Sequence, residues 1–161
     1  NPTFTEVRLN NATFGAFSVE AGDMDNDGDR DIVQASLIER KISWFKNENG
    51  AFSGNQNIIQ EFETYAPYSL RLTDIDNDGD KDILYFSTWE PNLSNASELV
   101  LLKNSNNGTT FTKSIVYSVT EEITSYELLD VDTDGDKDLV VGNNGNLMYL
   151  FKNNGNGTFA T

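Results

Sequence analysis

Three aspartate-rich loops are the part of this sequence whose residue types and spacing could do chemistry. Each loop is nine residues long, with Asp at positions one, three, five, seven and nine and Gly at position six. The loops are residues 23–31, 74–82 and 130–138, and every aspartate of the chain lies in one of them. Two carboxylates about 4 Å apart, at an effective dielectric of about 20, repel each other by on the order of 4 kcal/mol. Such dense negative charge is favourable when a hard cation lies inside the loop.

The ligand chemistry of the loops predicts calcium. Carboxylate and carbonyl oxygens bind calcium or magnesium rather than zinc or copper, and four carboxylates in a flexible loop favour calcium over magnesium, which requires a strict octahedron. We expect carboxylates from positions one, three, five and nine and a backbone carbonyl from position seven, while glycine at position six permits the sharp turn. The three predicted Ca²⁺ sites consist of Asp23, Asp25, Asp27, Asp29 and Asp31; of Asp74, Asp76, Asp78, Asp80 and Asp82; and of Asp130, Asp132, Asp134, Asp136 and Asp138.

EF-hand loops share the ligand spacing of the first positions, but they differ from these loops further on. An EF-hand requires a bidentate Glu at position twelve and a helix on each side. Position twelve is Gln34, Tyr85 or Val141 here, and the flanking segments alternate as strands do. We therefore reject an EF-hand. Acidic surface turns that bind no metal stay open as an alternative, which the repetition of three loops in register disfavours.

The elements that must position these loops form a repeat. The loops begin at Asp23, Asp74 and Asp130, a period of about 51 to 56 residues, and such a period indicates a solenoid, propeller or array. An alternating segment precedes each loop, two apolar segments follow it, and an Asn- and Gly-rich turn leads to a fourth segment. We predict four short antiparallel strands per repeat, with the acidic loop joining strands one and two.

The whole chain, residues 1–161, is predicted to be one region of three such repeats. Their approximate spans are 4–51, 52–110 and 111–159, each opening with a fourth strand. On this basis residues 4–9 should form a strand, and the chain should close at Phe159, where another fourth strand begins. Trp44, at a position in a third strand, is expected in the core between repeats.

The repeat resembles the VCBS/FG-GAP family. The segment 128–143, continuing through the turn 153–159, carries this resemblance, and Phe14 and Gly15 are similar to the Phe-Gly of that family's name. The match departs from the pattern in two ways: no Gly-Ala-Pro follows strand two, and Phe-Gly is absent before loops two and three. The family forms blades of β-propellers, as in integrin α-subunits and many bacterial surface proteins. The resemblance thus implies an all-β fold with calcium in the hairpin between the first two strands of each blade.

Three blades are fewer than the four to eight of ordinary propellers. We therefore expect these blades to be part of a larger propeller, or of a ring or filament that other chains complete. Open blade edges would permit such self-association.

Composition excludes several classes of function. The formal net charge of −15 argues against nucleic acid as a partner, and no apolar run is long enough to span a membrane. The chain has no His and no Cys, and no nucleophile motif occurs in it, so we expect no enzyme activity. Calcium modules of this kind bind weakly, at about 10⁻⁴ to 10⁻³ M. Because such sites would be empty in the cytosol, we expect an extracellular or cell-surface location.

The most favoured function is therefore a calcium-stabilised binding module, adhesin- or lectin-like, with a glycan or protein ligand. The repeats diverge on the side away from the acidic loops, which is where a ligand is expected. The candidate ligand residues there are Tyr65, Tyr68, Trp89, Glu90 and Asn92. These aromatic residues would otherwise cover their own loop or pack between repeats. A structural assembly protein and a non-catalytic fragment of a larger secreted enzyme are the alternatives.

Overall fold

Strands form all the regular structure in the described part of the chain. The computed structural model describes residues 3–9, 14–63, 65–89 and 97–160, except for the side chains of residues 65, 88 and 89. Within these ranges there is no helix, and so no helical segment that could cross a membrane. The predicted all-β class is confirmed.

Three four-stranded antiparallel sheets follow one another along the chain. The first sheet contains β1 (Ala16–Gly22), β2 (Asp31–Ser36), β3 (Lys41–Phe45) and β6 (Asn57–Glu61), and its third-to-fourth connection carries the small hairpin of β4 (Asn47–Glu48) and β5 (Ala51–Phe52). The second sheet contains β7 (Tyr65–Thr73), β8 (Asp82–Trp89), β9 (Ser97–Ser105) and β10 (Thr110–Val119). The third sheet contains β11 (Ile123–Leu129), β12 (Asp138–Asn143), β13 (Met148–Asn153) and β14 (Phe159–Ala160).

Strand order within each sheet is the order along the chain, so every connection is a hairpin between neighbours. Each acidic loop joins the first two strands of its sheet, as predicted. β14 begins at Phe159 and pairs with β13, as expected for a fourth strand. This arrangement is that of three successive propeller blades.

One predicted strand is wrong. Residues 4–9 adopt no regular structure, and Phe4 is 93% exposed. The alternation of these residues resembles a strand, but a strand forms only where a neighbour accepts and donates its backbone hydrogen bonds. No described strand pairs with this segment.

The core consists of two apolar layers between successive sheets. Val33, Trp44, Ile83 and Tyr85 belong to the layer between the first and second sheets, which confirms the core position expected of Trp44. Leu84, Leu101, Leu139 and Phe151 belong to the layer between the second and third sheets. Since neighbouring residues of β8 point to opposite faces, Ile83 and Leu84 lie in different layers. The second sheet is thus buried on both faces, and it fixes the other two.

Replacing Ile83 by Ala should lower the free energy of unfolding by about 2–5 kcal/mol, because the substitution leaves a cavity between two sheets. Ile38→Ala is the matched control: Ile38 is largely exposed, so its loss should change stability by no more than about 0.5 kcal/mol. Urea denaturation measures both. Equal effects of the two substitutions would contradict the assignment of the core.

Candidate metal centre

The first aspartate of each loop organises the backbone around itself. Asp23 accepts hydrogen bonds from the backbone N–H of Asp27 at 3.2 Å and of Gly28 at 2.9 Å, and Asp74 does the same for residues five and six of loop two. Glycine at position six has φ between +95° and +99° in all three loops, a conformation that strains any other residue. The sequence therefore folds each loop with its carboxylates turned toward a common centre.

Carboxylate oxygens of three aspartates converge in every loop, within 4.8 Å of one another. In loops one and two these are the aspartates at positions one, three and five, as predicted. In loop three position nine takes part in place of position five. The three convergent groups are Asp23, Asp25 and Asp27; Asp74, Asp76 and Asp78; and Asp130, Asp132 and Asp138.

The ninth aspartate is a buried hydrogen-bond acceptor in every repeat. Asp31, Asp82 and Asp138 have no exposed surface. One oxygen of Asp82 accepts the backbone N–H of Ile75 in its own loop at 2.9 Å, and the other accepts that of Asn104 at the end of the third strand at 2.8 Å. Asp31 and Asp138 make the same pair of bonds in their sheets, at 2.8–2.9 Å. The sequence predicts only a metal ligand at this position, and the structure shows that its carboxylate joins the loop to the end of the third strand.

Burial dominates the electrostatics of this ninth position. Desolvation raises the pKa of Asp82 to about 6, against the opposing effect of its two backbone hydrogen bonds. Burial likewise raises the pKa of Asp31. A nearby positive charge would favour the ionised form of both carboxyl groups.

A lysine reaches into each carboxylate cluster. Lys46 pairs with Asp25 and Asp27, Lys103 with Asp76, and Lys152 with Asp132. The hydrogen bond from Lys152 lowers the pKa of Asp132, and the bond to Asp76 raises that of Lys103. These lysines occupy the same position in each repeat, directly before the Asn at the end of the third strand. The sequence repeats this Lys-Asn pair three times, but turn chemistry alone did not indicate a contact with the loop.

The donor set fits a hard divalent cation. One oxygen of Asp25 and one of Asp76 are buried and have no hydrogen-bond partner among the described residues. The side chain of Asp76 is only 4% exposed, so water cannot readily satisfy that oxygen. A buried carboxylate oxygen without a partner is costly, and a cation shared with the neighbouring carboxylates would satisfy it.

The seventh aspartate connects one loop to another. Asp80 accepts a hydrogen bond from Asn26 of loop one at 2.5 Å, and Asp136 accepts one from Asn77 of loop two at 2.7 Å. In loop one, Asp29 instead accepts the backbone N–H of Asn49. The side chain of position seven is thus turned toward a neighbouring loop or turn and is absent from the three convergent groups, while the predicted role of its backbone carbonyl stays a prediction.

Of the five predicted ligand-binding residues, the structure describes Tyr68 in full and Tyr65 and Trp89 by their backbone only. Tyr65 and Trp89 are paired across β7 and β8, so their backbones are adjacent. Tyr68 stacks on Phe86 at a centroid distance of 5.8 Å and meets Phe17 edge-to-face at 5.2 Å. Glu90 and Asn92 lie outside the described residues. The structure thus brings two of the five positions together, and it packs Tyr68 against neighbouring aromatic rings.

A groove between the first and second sheets was not predicted. It has a volume of about 600 Å³ and is lined by Trp44, Gln56, Asn57 and Phe111, among others. The side-chain nitrogen of Gln56 is buried there without a described hydrogen-bond partner. Its walls come from turns and strands of different repeats, so no single sequence segment indicates it.

Asp82→Asn should destabilise the protein by about 1–3 kcal/mol even in a calcium chelator, because an amide cannot accept both backbone N–H groups. Asp78→Asn is the matched control: it is an exposed member of the same loop whose one acceptor bond an amide oxygen can keep. We expect it to leave stability in chelator unchanged. Urea denaturation in chelator tests this, and a harmless Asp82→Asn would refute the structural role of position nine.

Comparison with known proteins supports the resemblance of the repeats. Residues 23–85 match the family model for the FG-GAP-like repeat. That segment begins at the first aspartate of loop one, contains both loops one and two, and ends within β8. No curated protein matches the chain. Residues 23–85 are therefore similar to an FG-GAP-like repeat, and the three sheets have the fold of propeller blades.

Proposed function

We propose that this chain is a calcium-stabilised β-propeller binding module that acts outside the cell, in the manner of an adhesin or a lectin. The unpartnered buried oxygen of Asp76 is the observation that carries the calcium part of this proposal. The same cluster recurs in three loops, which favours a structural cation over a single catalytic one.

In this proposal calcium holds each loop in shape. The aspartates at positions one, three and five, together with the carbonyl of position seven, would bind it, and position nine would complete the site most directly in loop three. Bound cations would also offset the carboxylate repulsion in a chain of net charge −15. At calcium ten times above the dissociation constant, each site would add about 1.4 kcal/mol to the stability.

The extracellular location follows from the expected affinity. Extracellular calcium modules have dissociation constants of about 10⁻⁴ to 10⁻³ M, far above cytosolic calcium. A protein that depends on three such sites for stability would function where calcium is abundant.

The groove between the first and second sheets supports a glycan as ligand. Trp44 and Phe111 line this groove together with Gln56 and Asn57, whose side chains carry amides. Sugars present apolar C–H faces and rings of hydroxyl groups, and this mixture of aromatic and amide groups is complementary to both. The side-chain nitrogen of Gln56 is buried and has no described hydrogen-bond partner, so a small movement of this side chain into the groove would let it donate to a ligand hydroxyl. The strand ends at Tyr65 and Trp89 are the second candidate location.

Calcium should raise the melting temperature, and a chelator should lower it. When free calcium is ten times the dissociation constant, each lost site removes about 1.4 kcal/mol of stability. Asp76→Asn should therefore abolish roughly a third of the calcium-dependent increase in stability. Differential scanning calorimetry with calcium, with magnesium and with chelator measures this. Magnesium should give a smaller rise. A melting curve that does not respond to chelator would refute the structural role of calcium.

Gln56→Ala should weaken glycan binding about fivefold, the equivalent of one neutral hydrogen bond, without lowering stability. Glycan-array screening of the wild-type protein in calcium identifies the probe, and titration calorimetry then compares the variants. Gln60→Ala is the matched control, since its amide donates to the carbonyl of Glu61 and lies outside the groove lining. An array without glycan binding in calcium would contradict the lectin-like function, and equal losses for both variants would exclude this groove.

A further inference from the structure

Asn-Gly steps recur in the turns of this chain, and they are chemically labile. Asparagine is a thermolabile residue, and its side-chain amide is lost most easily before glycine, whose nitrogen no side chain shields from attacking the amide carbon. The five steps begin at Asn49, Asn107, Asn144, Asn154 and Asn156. All five asparagines are exposed, so burial alone does not distinguish their reactivity.

The attacking nitrogen is engaged in a hydrogen bond in every step. Each glycine N–H donates to the side-chain oxygen of an asparagine upstream, and it must be released before the nitrogen can attack. The distance from nitrogen to oxygen is 2.8 Å from Gly50 to Asn47, 2.9 Å from Gly108 to Asn104, 3.1 Å from Gly145 to Asn143 and 3.1 Å from Gly155 to Asn153. Gly157 has the longest bond, 3.3 Å, and it shares the Asn153 oxygen with Gly155.

Three of the accepting asparagines are themselves held in place by the repeat. They follow the lysines at the ends of the third strands, and the ninth aspartate of each loop accepts their backbone N–H. Their side-chain N–H groups donate to backbone carbonyls: Asn47 to Arg30 at 3.0 Å, Asn104 to Met24 at 3.2 Å and Asn153 to Ile75 at 2.7 Å. The oxygens that restrain the glycines are therefore fixed by the fold.

The side chain of Asn156 differs from those of the other four steps. Its oxygen accepts the backbone N–H of Thr158 at 3.0 Å and the hydroxyl of Thr158 at 2.6 Å. Negative charge develops on this oxygen during attack on the carbonyl carbon, and donors already aimed at it stabilise that charge. The Asn107 oxygen accepts one bond, from Asn26 at 3.2 Å. For the remaining three steps, no described residue donates to the asparagine side-chain oxygen.

We propose that Asn156-Gly157 is the step at which this chain deamidates spontaneously, and that the glycine hydrogen bonds protect the other four steps. The weakest restraint on the nitrogen and the strongest polarisation of the carbonyl occur together at this one step. The inference goes beyond the proposed function and depends on neither calcium nor a ligand.

The reaction needs only water. The nitrogen of Gly157 loses its proton and forms a bond to the side-chain carbonyl carbon of Asn156. The bond from that carbon to the side-chain nitrogen breaks, and ammonia leaves with the added proton. Water then opens the resulting cyclic imide at either carbonyl, which gives aspartate or isoaspartate. The net change exchanges an amide for a carboxylic acid, without oxidation or reduction.

The modified turn would lie against loop two. A side chain added at Gly157 would come within 3.2 Å of Ile75 and 3.5 Å of Asp76, so the turn has little space on that side. Isoaspartate lengthens the main chain by one methylene, and either product adds a negative charge. Deamidation should thus weaken the contact between the third sheet and loop two.

The test follows the full chain, folded and at mildly alkaline pH, by peptide mapping with fragment-ion mass spectrometry. This measures the conversion of amide to acid at each of the five steps separately. We expect Asn156 to react at least about fivefold faster than any other step, the kinetic equivalent of one neutral hydrogen bond. In urea the five rates should become similar, because the hydrogen bonds that distinguish the steps are lost.

Thr158→Ala should slow the reaction at Asn156 by about fivefold, because it removes the hydroxyl donor. Thr158→Ser is the matched control: it keeps a hydroxyl and should react at nearly the wild-type rate. Asn47→Ala tests the protection, because it removes the acceptor of the Gly50 N–H and should accelerate Asn49 alone. The other steps of the same molecule report any general opening of the fold.

A folded wild-type chain in which another step reacts fastest, or in which all five react equally, would overturn the proposal without any variant. Equal rates at Asn156 in Thr158→Ala and Thr158→Ser would also overturn it. An Asn47→Ala variant that accelerates no step, or every step equally, would refute protection by the glycine hydrogen bond.

Discussion

One buried carboxylate in each repeat holds the fold of its sheet together. The ninth aspartate of the loop accepts one backbone N–H from the loop itself and one from the end of the third strand. It therefore joins the first hairpin to the third strand, and it fixes the position of the second loop residue relative to that strand. The loop aspartates, the lysine at the end of the third strand and the turn that follows all take their positions from this contact. Two acceptor oxygens at the ninth position are thus used by the fold itself, whatever the loop binds.

The repeats were predictable because their signals are local. Alternation before Asp23, Asp74 and Asp130, apolar segments after the loops and Asn-Gly turns are each determined by neighbouring residues, and they predicted the strands of all three sheets. The segment 4–9 carries the same alternation, yet it forms no strand, because pairing depends on a partner that alternation does not reveal. Trp44 was placed correctly, since a bulky residue in a strand of a stacked sheet has few alternatives to the core.

The site was predictable only in part, for the same physical reason. The spacing of aspartates within nine residues favours the convergence of their oxygens, and the structure brings together positions one, three and five of loops one and two, without the predicted position nine. Contacts that join distant segments were missed: Lys103 with Asp76, Asn104 with the carbonyl of Met24, and the groove beside Gln56. Each of these depends on how strands from separate parts of the chain are stacked or paired, and a local sequence pattern contains no information about such neighbours.

The hydrogen bonds from Asn26 to Asp80 and from Asn77 to Asp136 have a consequence for how such proteins can change. Donor and acceptor of each bond lie in different repeats, so each loop depends on its neighbour for one of its contacts. The donor is Asn at position four and the acceptor is Asp at position seven in both cases, so a duplicated or exchanged repeat of the first or second kind would find the same partner again. Loop three has Thr133 in place of the Asn, so a repeat of the third kind placed before another would leave the aspartate of the following loop without this amide.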